Sequence, residues 1–456
     1  MYKKILIASL ALIAGLASCK KDDPTPSPNP PSGLTIDGVA STLEFYQLDT
    51  AHLSVAGVAK DAAAKAVWAV NGAKAAEGAT FDFTTAHPGK YEVTLTVDGK
   101  SAKHTYTVAP RFSEGAFLLN EGNFGNETGS LTYIHPSKKL VIDQAYYRVN
   151  GTKLGNVCQD LAFGNDQIYI LSQLGPKNGG EGLLTIASSN TLEKVKVYND
   201  EALAQSTPTH IAVLRDHIYI RTERDGILRG SSEGGFTPIT GTKKALKQRM
   251  AQIGERLFAL TSDSKVLMIQ GTQVVRELDL SPAKPSGIAV SHDGKLWVST
   301  TSPNAILKVD PTPDNFVALD THILDKSISA TGAQSWERTT SSAFFAHGDK
   351  LYFTGQSSVI YCHDFATSKT SQVIDVKTID GVGTSANMYY NSLGVDPATG
   401  ELYYAAFEDY STYNKKNVTM VLKADGTKLL LKEKVNSFPA GFYFIPNAAS
   451  RTGGNR

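Results

Sequence analysis

Apolar and polar positions repeat one pattern along most of the chain: a short apolar run, a tight polar turn, and a second apolar run centred on an aromatic residue. In the clearest copy, residues 287–300, Asp293 and Gly294 separate the two runs. An Asp-Gly pair between apolar runs predicts a β-hairpin, because glycine accepts the positive φ of primed turns. The central aromatics recur 39 to 55 residues apart, at Tyr169, Tyr219, Phe258, Trp297, Tyr352 and Tyr403. Several short strands within each such period predict a β-propeller.

The two ends of the repeat region are incomplete in complementary ways. Phe117 falls in phase with the other aromatics, but no apolar run precedes its strand, and an unpaired apolar run stands at 440–445. Pairing 442–445 beside 117–120 would close the ring and remove exposed sheet edges. We therefore predict seven blades over residues 111–446, rather than the alternative of two irregular β-sandwiches. The second to seventh blades are expected to begin near Cys158, Pro208, Gln248, Ser286, Ser342 and Tyr390.

Residues 34–109 form a separate strand-rich block. Several of its runs alternate apolar and polar residues with period two, as in half-exposed antiparallel sheets, and we expect Trp68 to face Tyr91 in its core. The series from Trp68 through Pro88-Gly89 to Tyr91 resembles polycystic-kidney-disease-type (PKD) immunoglobulin-like modules. The fold class expected for the whole chain is therefore all-β, a small Ig-like sandwich followed by a seven-bladed propeller, with the sandwich acting as a spacer.

The first 19 residues have the pattern of an export signal. Two lysines precede a twelve-residue apolar run, which is too short for the roughly 20 residues that span a bilayer, and the run ends in Leu-Ala-Ser-Cys19. This ending resembles the lipobox of bacterial lipoproteins, which implies lipidation of Cys19; the alternative is an ordinary secretory signal. A proline-rich linker at 20–33 is expected to act as a stalk, and a flexible tail is expected at 447–456.

Composition excludes several function classes. The 45 basic and 44 acidic residues are nearly balanced, and without a basic patch nucleic-acid binding loses its electrostatic basis. Three cysteines cannot build a disulfide framework, so Cys158 and Cys362 are expected to be buried free thiols. No catalytic motif and no metal-ligand spacing is present. We expect no enzyme activity and no resident cofactor.

The candidate site is on the propeller face formed by the loops between second and third strands together with the connections between blades. Its loops combine aromatic rings with neutral amides, a composition that binds flat or polyhydroxylated ligands. The alternative is that individual rings pack in the core or at the rim. The candidate ligand-binding residues are Asn123, Phe124, Gln159, His210, Trp336, Arg338, Tyr389, Tyr390, Tyr410 and Tyr413.

The run Asn120-Glu121-Gly122-Asn123-Phe124-Gly125 resembles the opening of BtuG-like surface lipoproteins, which are YncE-like, DUF5074-type propellers. The resemblance covers about 111–446. It implies capture of a corrinoid such as vitamin B12 and its transfer to a TonB-dependent outer-membrane transporter, with the chain anchored by lipid to the outer membrane and exposed at the cell surface. Haem or a glycan remains open as the ligand. The alternative functions are a hydrolase or lyase acting on a glycan or lactone, and an adhesion or scaffold module.

Overall fold

The computed structural model describes residues 33–39, 44–325, 328, 344–355, 357–387 and 393–446. Ser342, Tyr390 and Cys19, which carried sequence predictions, lie outside these residues, as do the predicted leader and tail and residues 20–32 of the predicted linker. The chain divides into two compact units, a smaller one made chiefly of residues 51–83 and 91–106 and a larger one made chiefly of residues from 107 onward. No helix of the described part is long and apolar enough to cross a membrane.

The smaller unit is built from short antiparallel strands and one helical turn, α1 (Lys60–Ala63). One sheet has the order β1-β3-β6, and the other includes the order β8-β7-β4-β5. Trp68 is fully buried on β4 and packs on Phe81 with ring centroids 5.6 Å apart, while Tyr91 packs on Phe83 at 5.8 Å. The prediction that Trp68 faces Tyr91 is therefore wrong: each ring packs on a different phenylalanine, because Tyr91 lies at the start of β7 and Trp68 pairs with Leu95 further along it. The strands are β1 (Thr35–Asp37), β3 (Thr50–Ala56), β4 (Val67–Val70), β5 (Ala73–Glu77), β6 (Thr80–Thr84), β7 (Gly89–Val97) and β8 (Lys100–Ala109). The short strand β2 (Phe45–Tyr46) belongs to the larger unit.

The described part of the larger unit contains seven four-stranded antiparallel sheets, numbered here in chain order. Sheet 1 consists of β9 (Ala116–Asn120), β10 (Ser130–His135), β11 (Leu140–Ile142) and β36 (Pro439–Phe444). Sheet 2 consists of β12 (Cys158–Gly164), β13 (Gln167–Ser172), β14 (Leu184–Ser188) and β15 (Lys194–Tyr198). Sheet 3 consists of β16 (Pro208–Leu214), β17 (His217–Thr222), β18 (Gly226–Ser231) and β19 (Gly234–Pro238).

The remaining four sheets follow the same order along the chain. Sheet 4 consists of β20 (Ala251–Ile253), β21 (Arg256–Leu260), β22 (Lys265–Gln270) and β23 (Gln273–Asp279). Sheet 5 consists of β24 (Pro285–Val290), β25 (Leu296–Thr301), β26 (Asn304–Asp310) and β27 (Val317–Ile323). Sheet 6 consists of β28 (Phe344–His347), β29 (Lys350–Phe353), β30 (Val359–Asp364) and β31 (Lys369–Asp375). Sheet 7 consists of β32 (Leu393–Val395), β33 (Leu402–Phe407), β34 (Asn417–Leu422) and β35 (Lys428–Glu433).

Two short helices, α2 (Ala145–Asn150) and α3 (Glu201–Ser206), connect consecutive sheets. The predicted strand starts at Cys158 and Pro208 are confirmed. In sheet 4 the paired strand begins at Ala251 and not at Gln248, since Gln248 and Arg249 precede the ladder that β20 forms with β21. The prediction of buried free thiols is confirmed for Cys158 and Cys362.

The last described strand closes the first sheet. β36 runs antiparallel to β9, with Tyr443 opposite Phe117 and Phe442 opposite Leu118. This confirms the pairing predicted from the incomplete ends of the repeat. The edge of β9, which would otherwise expose a row of backbone N–H and C=O groups, is thereby covered.

Each central aromatic packs between its own sheet and the next. Phe117 belongs to the apolar cluster between sheets 1 and 2, Trp297 to that between sheets 5 and 6, and Tyr403 to that between sheets 7 and 1. A ring of this size buries 150–250 Å², which stabilises the contact by about 4 to 6 kcal/mol before entropy is counted. The periodic aromatics therefore hold successive sheets together, and the last sheet packs back onto the first.

Small residues opposite the aromatics permit this packing. Ala162, Ala212, Ala251 and Ala289 pair with four of the rings, and Gly394 pairs with Tyr403. A Cβ atom on Gly394 would lie 2.5 Å from the Cβ of Phe442 in the neighbouring sheet, so no larger residue fits there. The first strands of sheets 2 to 7 and, in sheet 1, β36 line a shared central channel. We call these seven strands the inner strands.

Candidate functional site

Four of the seven inner strands share a β-bulge at the end where they begin. The register shifts between Cys158 and Asp160 in sheet 2, and equivalent shifts precede His210, Gly287 and Gly441 in sheets 3, 5 and 1. A bulge re-aims a side chain and is common next to functional sites. In sheet 4, Arg249 holds the position equivalent to Asp160, because each lies two residues before the alanine that pairs with the central aromatic. The bulge therefore places charged and small residues at one level of the channel.

At that level Arg249 reaches across the channel from sheet 4 to sheets 1 and 2. Its Nε lies 3.2 Å from Oδ1 of Asp160, and its Nη2 donates to the carbonyl oxygen of Ala440 at 3.4 Å. Its guanidinium also lies 4.2 Å from the ring centroid of Tyr443. A Cβ on Gly441, whose φ is +139°, would lie 2.0 Å from Nη2. Glycine at 441 thus makes room for the guanidinium.

Asp160 is fully engaged in this cluster. Its Oδ1 accepts a hydrogen bond from the Tyr443 hydroxyl at 2.6 Å and its Oδ2 accepts from the Ile211 N–H at 2.9 Å. The carboxyl is 2% exposed, and burial raises its pKa although Arg249 acts in the opposite direction. Burial likewise raises the pKa of the Tyr443 hydroxyl. The cluster is a buried ion pair with a neutral phenol, and it joins sheets 1, 2 and 4. Both oxygens of the Asp160 carboxylate already accept hydrogen bonds within the protein, so Asp160 is not poised to act as a general acid or base.

The ends of the second strands, which pair with the beginnings of the inner strands, carry the predicted loop face. Phe124 lies in the loop after β9 and is 63% exposed, with Nζ of Lys177 3.9 Å from its ring centroid. Nδ2 of Asn178 donates to the carbonyl oxygen of Phe124 at 3.3 Å, and Oδ1 of Asn123 accepts from the Gly125 N–H at 2.8 Å. The loop is therefore fixed by its own amide and by the corresponding loop of sheet 2, while one face of the ring is covered by a cation.

Tyr410 and Tyr413, in the corresponding loop of sheet 7, flank a ring that sequence analysis did not select. Phe438 stacks on Tyr413 at 4.5 Å and on Tyr410 at 5.8 Å, each with an interplanar angle of 27°. Tyr413 is 8% exposed and its hydroxyl interacts with Glu127 and Asn123, while Tyr410 is 44% exposed. The sequence feature that could have pointed to Phe438 is its position directly before the closing strand β36.

Gln159 and His210 lie below this surface. Gln159 is 2% exposed and its Nε2 donates to Oε1 of Glu121 at 2.5 Å. His210 is fully buried, its Nδ1 lies 3.2 Å from Oγ1 of Thr209, and its Nε2 has no hydrogen-bond partner among the described residues. Burial and nearby cations, Arg221 first among them, hold the pKa of His210 well below its ordinary value. His210 is therefore neutral at pH 7.

The structure thus brings together part of the predicted set. Asn123, Phe124, Tyr410 and Tyr413 belong to one stretch of the loop face, joined through Glu127 and Phe438. The other four predicted residues lie outside the described part of the chain: Trp336, Arg338, Tyr389 and Tyr390. Among the described residues, no group of three or more His, Cys, Asp or Glu side chains is placed to hold a metal ion.

The channel on the other side of Arg249 is a cavity of about 1410 Å³. Its lining begins at the level of Asp160, Gln248 and Arg249 and continues along the inner strands to the turns that follow them, including 396–399 in sheet 7. These turns lie at the opposite end of the strands from the loop face. We call this cavity the funnel.

Comparison with solved structures supports the fold. A quinoprotein alcohol dehydrogenase-like protein from Bacteroides thetaiotaomicron matches with a TM-score of 0.57 at 15% identity, covering 90% of this chain and 99% of that one. A protein from Lactobacillus plantarum matches with a TM-score of 0.48 at 13% identity, covering 73% and 99%. BamB from Moraxella catarrhalis matches with a TM-score of 0.40 at 9% identity, covering 72% and 85%. The first of these supports a propeller-like all-β architecture and, at this identity, nothing about activity.

The comparison with curated proteins gave no match. A family model, described as a domain of unknown function (DUF5074), matches residues 114–446, which include all seven sheets of the larger unit. This confirms the DUF5074-type part of the resemblance seen in the sequence. The chain belongs to the DUF5074 family.

Proposed function

We propose that the larger unit is a closed seven-bladed propeller that captures a ligand on its loop face without changing it chemically. The pairing of β36 with β9 and the apolar cluster between sheets 7 and 1 support the closed ring. The smaller unit, with its two small sheets, serves as an Ig-like spacer in this proposal.

The observation that carries the capture proposal is the pair of exposed rings held on fixed loops. Phe124 and Tyr410 present large apolar surface to solvent, although burying such surface would be favourable. Neither ring needs to be ordered on binding, since Asn178 anchors the first loop and Phe438 stacks under the second ring. Pre-ordered aromatic anchors reduce the entropy lost when a ligand binds.

The favoured ligand is a corrinoid, on the strength of the Asn-Glu-Gly-Asn-Phe-Gly opening at 120–125. A corrinoid has broad apolar faces edged with amides, which suits rings interleaved with Asn123 and Asn178. In the same proposal Cys19 carries the lipid anchor at the outer-membrane surface, and the captured ligand passes to a TonB-dependent transporter. A Cys19→Ala chain that still enters the detergent phase and is cut by external protease on intact cells would contradict the anchor.

Binding is favoured over catalysis because the two carboxylates at the loop-face end of the channel, Asp160 and Glu121, have structural partners. Asp160 bonds to Arg249, Tyr443 and the Ile211 N–H, and Glu121 accepts a hydrogen bond from Gln159. A glycosidase or lyase needs a carboxylate within reach of the proton that it transfers. Turnover of a glycan or lactone by the purified chain would overturn this part of the proposal.

The test is titration of cyanocobalamin into the purified chain, read by calorimetry and by the visible spectrum after desalting. Truncating an aromatic anchor at an interface costs on the order of 2 kcal/mol, so Phe124→Ala and Tyr410→Ala should each weaken binding roughly thirtyfold. Leu319→Ala is the matched control, because Leu319 is 49% exposed on the outermost strand of sheet 5. Retained colour with all three variants would show that the ligand binds elsewhere. No heat and no colour with the wild type would remove the corrinoid.

A further inference from the structure

The funnel is separate from the loop face. In the described residues its lining ends at Asp160, Gln248 and Arg249, and it includes neither Phe124 nor Tyr410. The guanidinium that spans from Asp160 to the Ala440 carbonyl closes it at that level. Among the described residues, the funnel extends from this level to the turns that join the inner strands to the second strands, so a molecule within it meets Arg249 at its inner end.

The wall of the funnel is apolar and only partly covered. Half-buried side chains from five sheets contribute to it, and no strand supplies a charge between the closed inner end and the mouth. These wall residues are Ala162, Phe163, Met250, Ile288, Val290, Phe345, Ala346 and Phe444. Water next to such a wall is displaced favourably by an apolar ligand, at about 25 cal/mol per Å² buried. At about 1410 Å³ the space exceeds a usual drug-sized pocket.

Charge on the lining is negative. The lining contains four carboxylates, one lysine and one arginine, and the arginine is paired with Asp160. At the mouth this leaves Glu114, Asp396 and Glu401 against Lys139. The fifth titratable group at the mouth, His135, is neutral at pH 7, because burial holds its pKa below the ordinary value.

Two of the mouth carboxylates share one turn. The Asp396 N–H donates to the Glu401 carbonyl oxygen at 2.9 Å, which closes the turn between β32 and β33. Burial and the neighbouring Asp396 raise the pKa of Glu401. Asp396 accepts the Ala398 N–H at 2.8 Å. In the described part of the chain, neither of the two carboxylates forms an ion pair with a lysine or arginine side chain of this protein.

We propose that the funnel binds a cationic amphiphile, whose apolar body lies along the inner strands and whose ammonium or guanidinium group lies beside Asp396 and Glu401. The site goes beyond the proposed function, because it lies on the other side of Arg249 from the loop face. An anionic head would meet repulsion at the mouth and a neutralised arginine at the closed end. A neutral body would leave the carboxylates without a partner.

Three fluorescent probes that share one apolar rod separate these cases: diphenylhexatriene with a trimethylammonium head, without a head, and with a propionate head. Each gains fluorescence when it leaves water, so each can be titrated against the purified chain in detergent-free buffer. The cationic probe should bind at least about tenfold more tightly than the anionic one, because like charges placed together at an interface are strongly disfavoured. Equal affinity for all three probes, or binding of none, would overturn the proposal.

Variants then locate the site. Glu401→Gln should weaken the cationic probe about fivefold, the upper range for a part-exposed ion pair, and leave the neutral probe unchanged. Glu233→Gln, on an exposed hairpin of sheet 3, is the matched control. Ala346→Trp and Val290→Trp each take up part of the funnel at its apolar wall and should weaken binding of all three probes. Since either could disturb folding, a melting curve unchanged from that of the wild type is required. Probe affinity unchanged in a folded filling variant would place the probe elsewhere.

Discussion

The cluster around Arg249 predicts a large and specific loss of stability when one partner is removed. Arg249→Met deletes the guanidinium and keeps an unbranched apolar side chain. Asp160, at 2% exposure, then loses the guanidinium and keeps the Tyr443 hydroxyl and the backbone N–H groups of Leu161 and Ile211 as partners. Removing one side of a buried ion pair costs about 3 to 5 kcal/mol, because the other charge stays buried and uncompensated. That loss is comparable with the whole stability of many domains, roughly 5 to 15 kcal/mol.

A second variant separates the buried charge from the packing. In Arg249→Met with Asp160→Asn, the amide still accepts the Ile211 N–H and no charge remains. Replacing both partners of a buried pair is often close to neutral, so the double variant should be at least about 2 kcal/mol more stable than Arg249→Met alone. Leu319→Ala, on an exposed outer strand, is a control with an expected change within about 0.5 kcal/mol.

The assay is urea unfolding followed by tryptophan fluorescence in a Trp68→Phe, Trp336→Phe background, so that Trp297, fully buried between sheets 5 and 6, is the tryptophan that reports on the larger unit. Free energies are compared at equal denaturant slopes, since a changed slope would signal loss of two-state behaviour. A cost below about 1 kcal/mol for Arg249→Met would refute the reasoning. A double variant as unstable as the single one would refute it as well, because the penalty would then come from lost packing.

Two further predictions concern closure and acid stability. Ending the chain after Val435 removes β36 and uncovers the edge of β9, so the cooperative thermal transition of the larger unit should be lost, and an unchanged calorimetric trace would contradict the closed ring. Burial and the neighbouring His322 ring, whose centroid is 4.3 Å away, lower the pKa of His363 to about 4. Because the unfolded pKa is about 6.5, the folded chain should lose stability as the pH falls from about 6.5 to 4; His363→Asn should flatten that part of the stability curve, and an unchanged curve would exclude this residue as its source.

The fold was predictable because its signals are local and repeated. Asp293-Gly294 marks a hairpin without reference to any other part of the chain, and the regular spacing of the aromatic residues from Phe117 to Tyr403 reveals the repeat. The start of β20 was not predictable in the same way. Gln248 and Arg249 look like strand residues in the sequence, but they lie outside the strand ladder, and their side chains bond to Ser286 and Asp160.

The site was only partly predictable because its contacts join distant positions. Arg249 meets Asp160 across 89 residues and Ala440 across 191, and composition gives no indication of either contact. Asn123 and Phe124 stood out because an Asn-Phe-Gly turn is visible in the sequence. Phe438 did not, since its role depends on Tyr410 and Tyr413 lying on both sides of it.

The pairing of β36 with β9 also has a consequence for biosynthesis. A ribosome makes β9 and β10 more than 300 residues before β36, and until then sheet 1 lacks the strand that the structure places beside β9. Contacts between such distant positions form slowly, because a long loop must close before any interaction rewards it. During that interval the nascent chain carries an open edge able to pair with other chains. Any factor that shields this edge until the last strand emerges would raise the yield of folded protein, whereas a stalled or truncated product would be prone to aggregation.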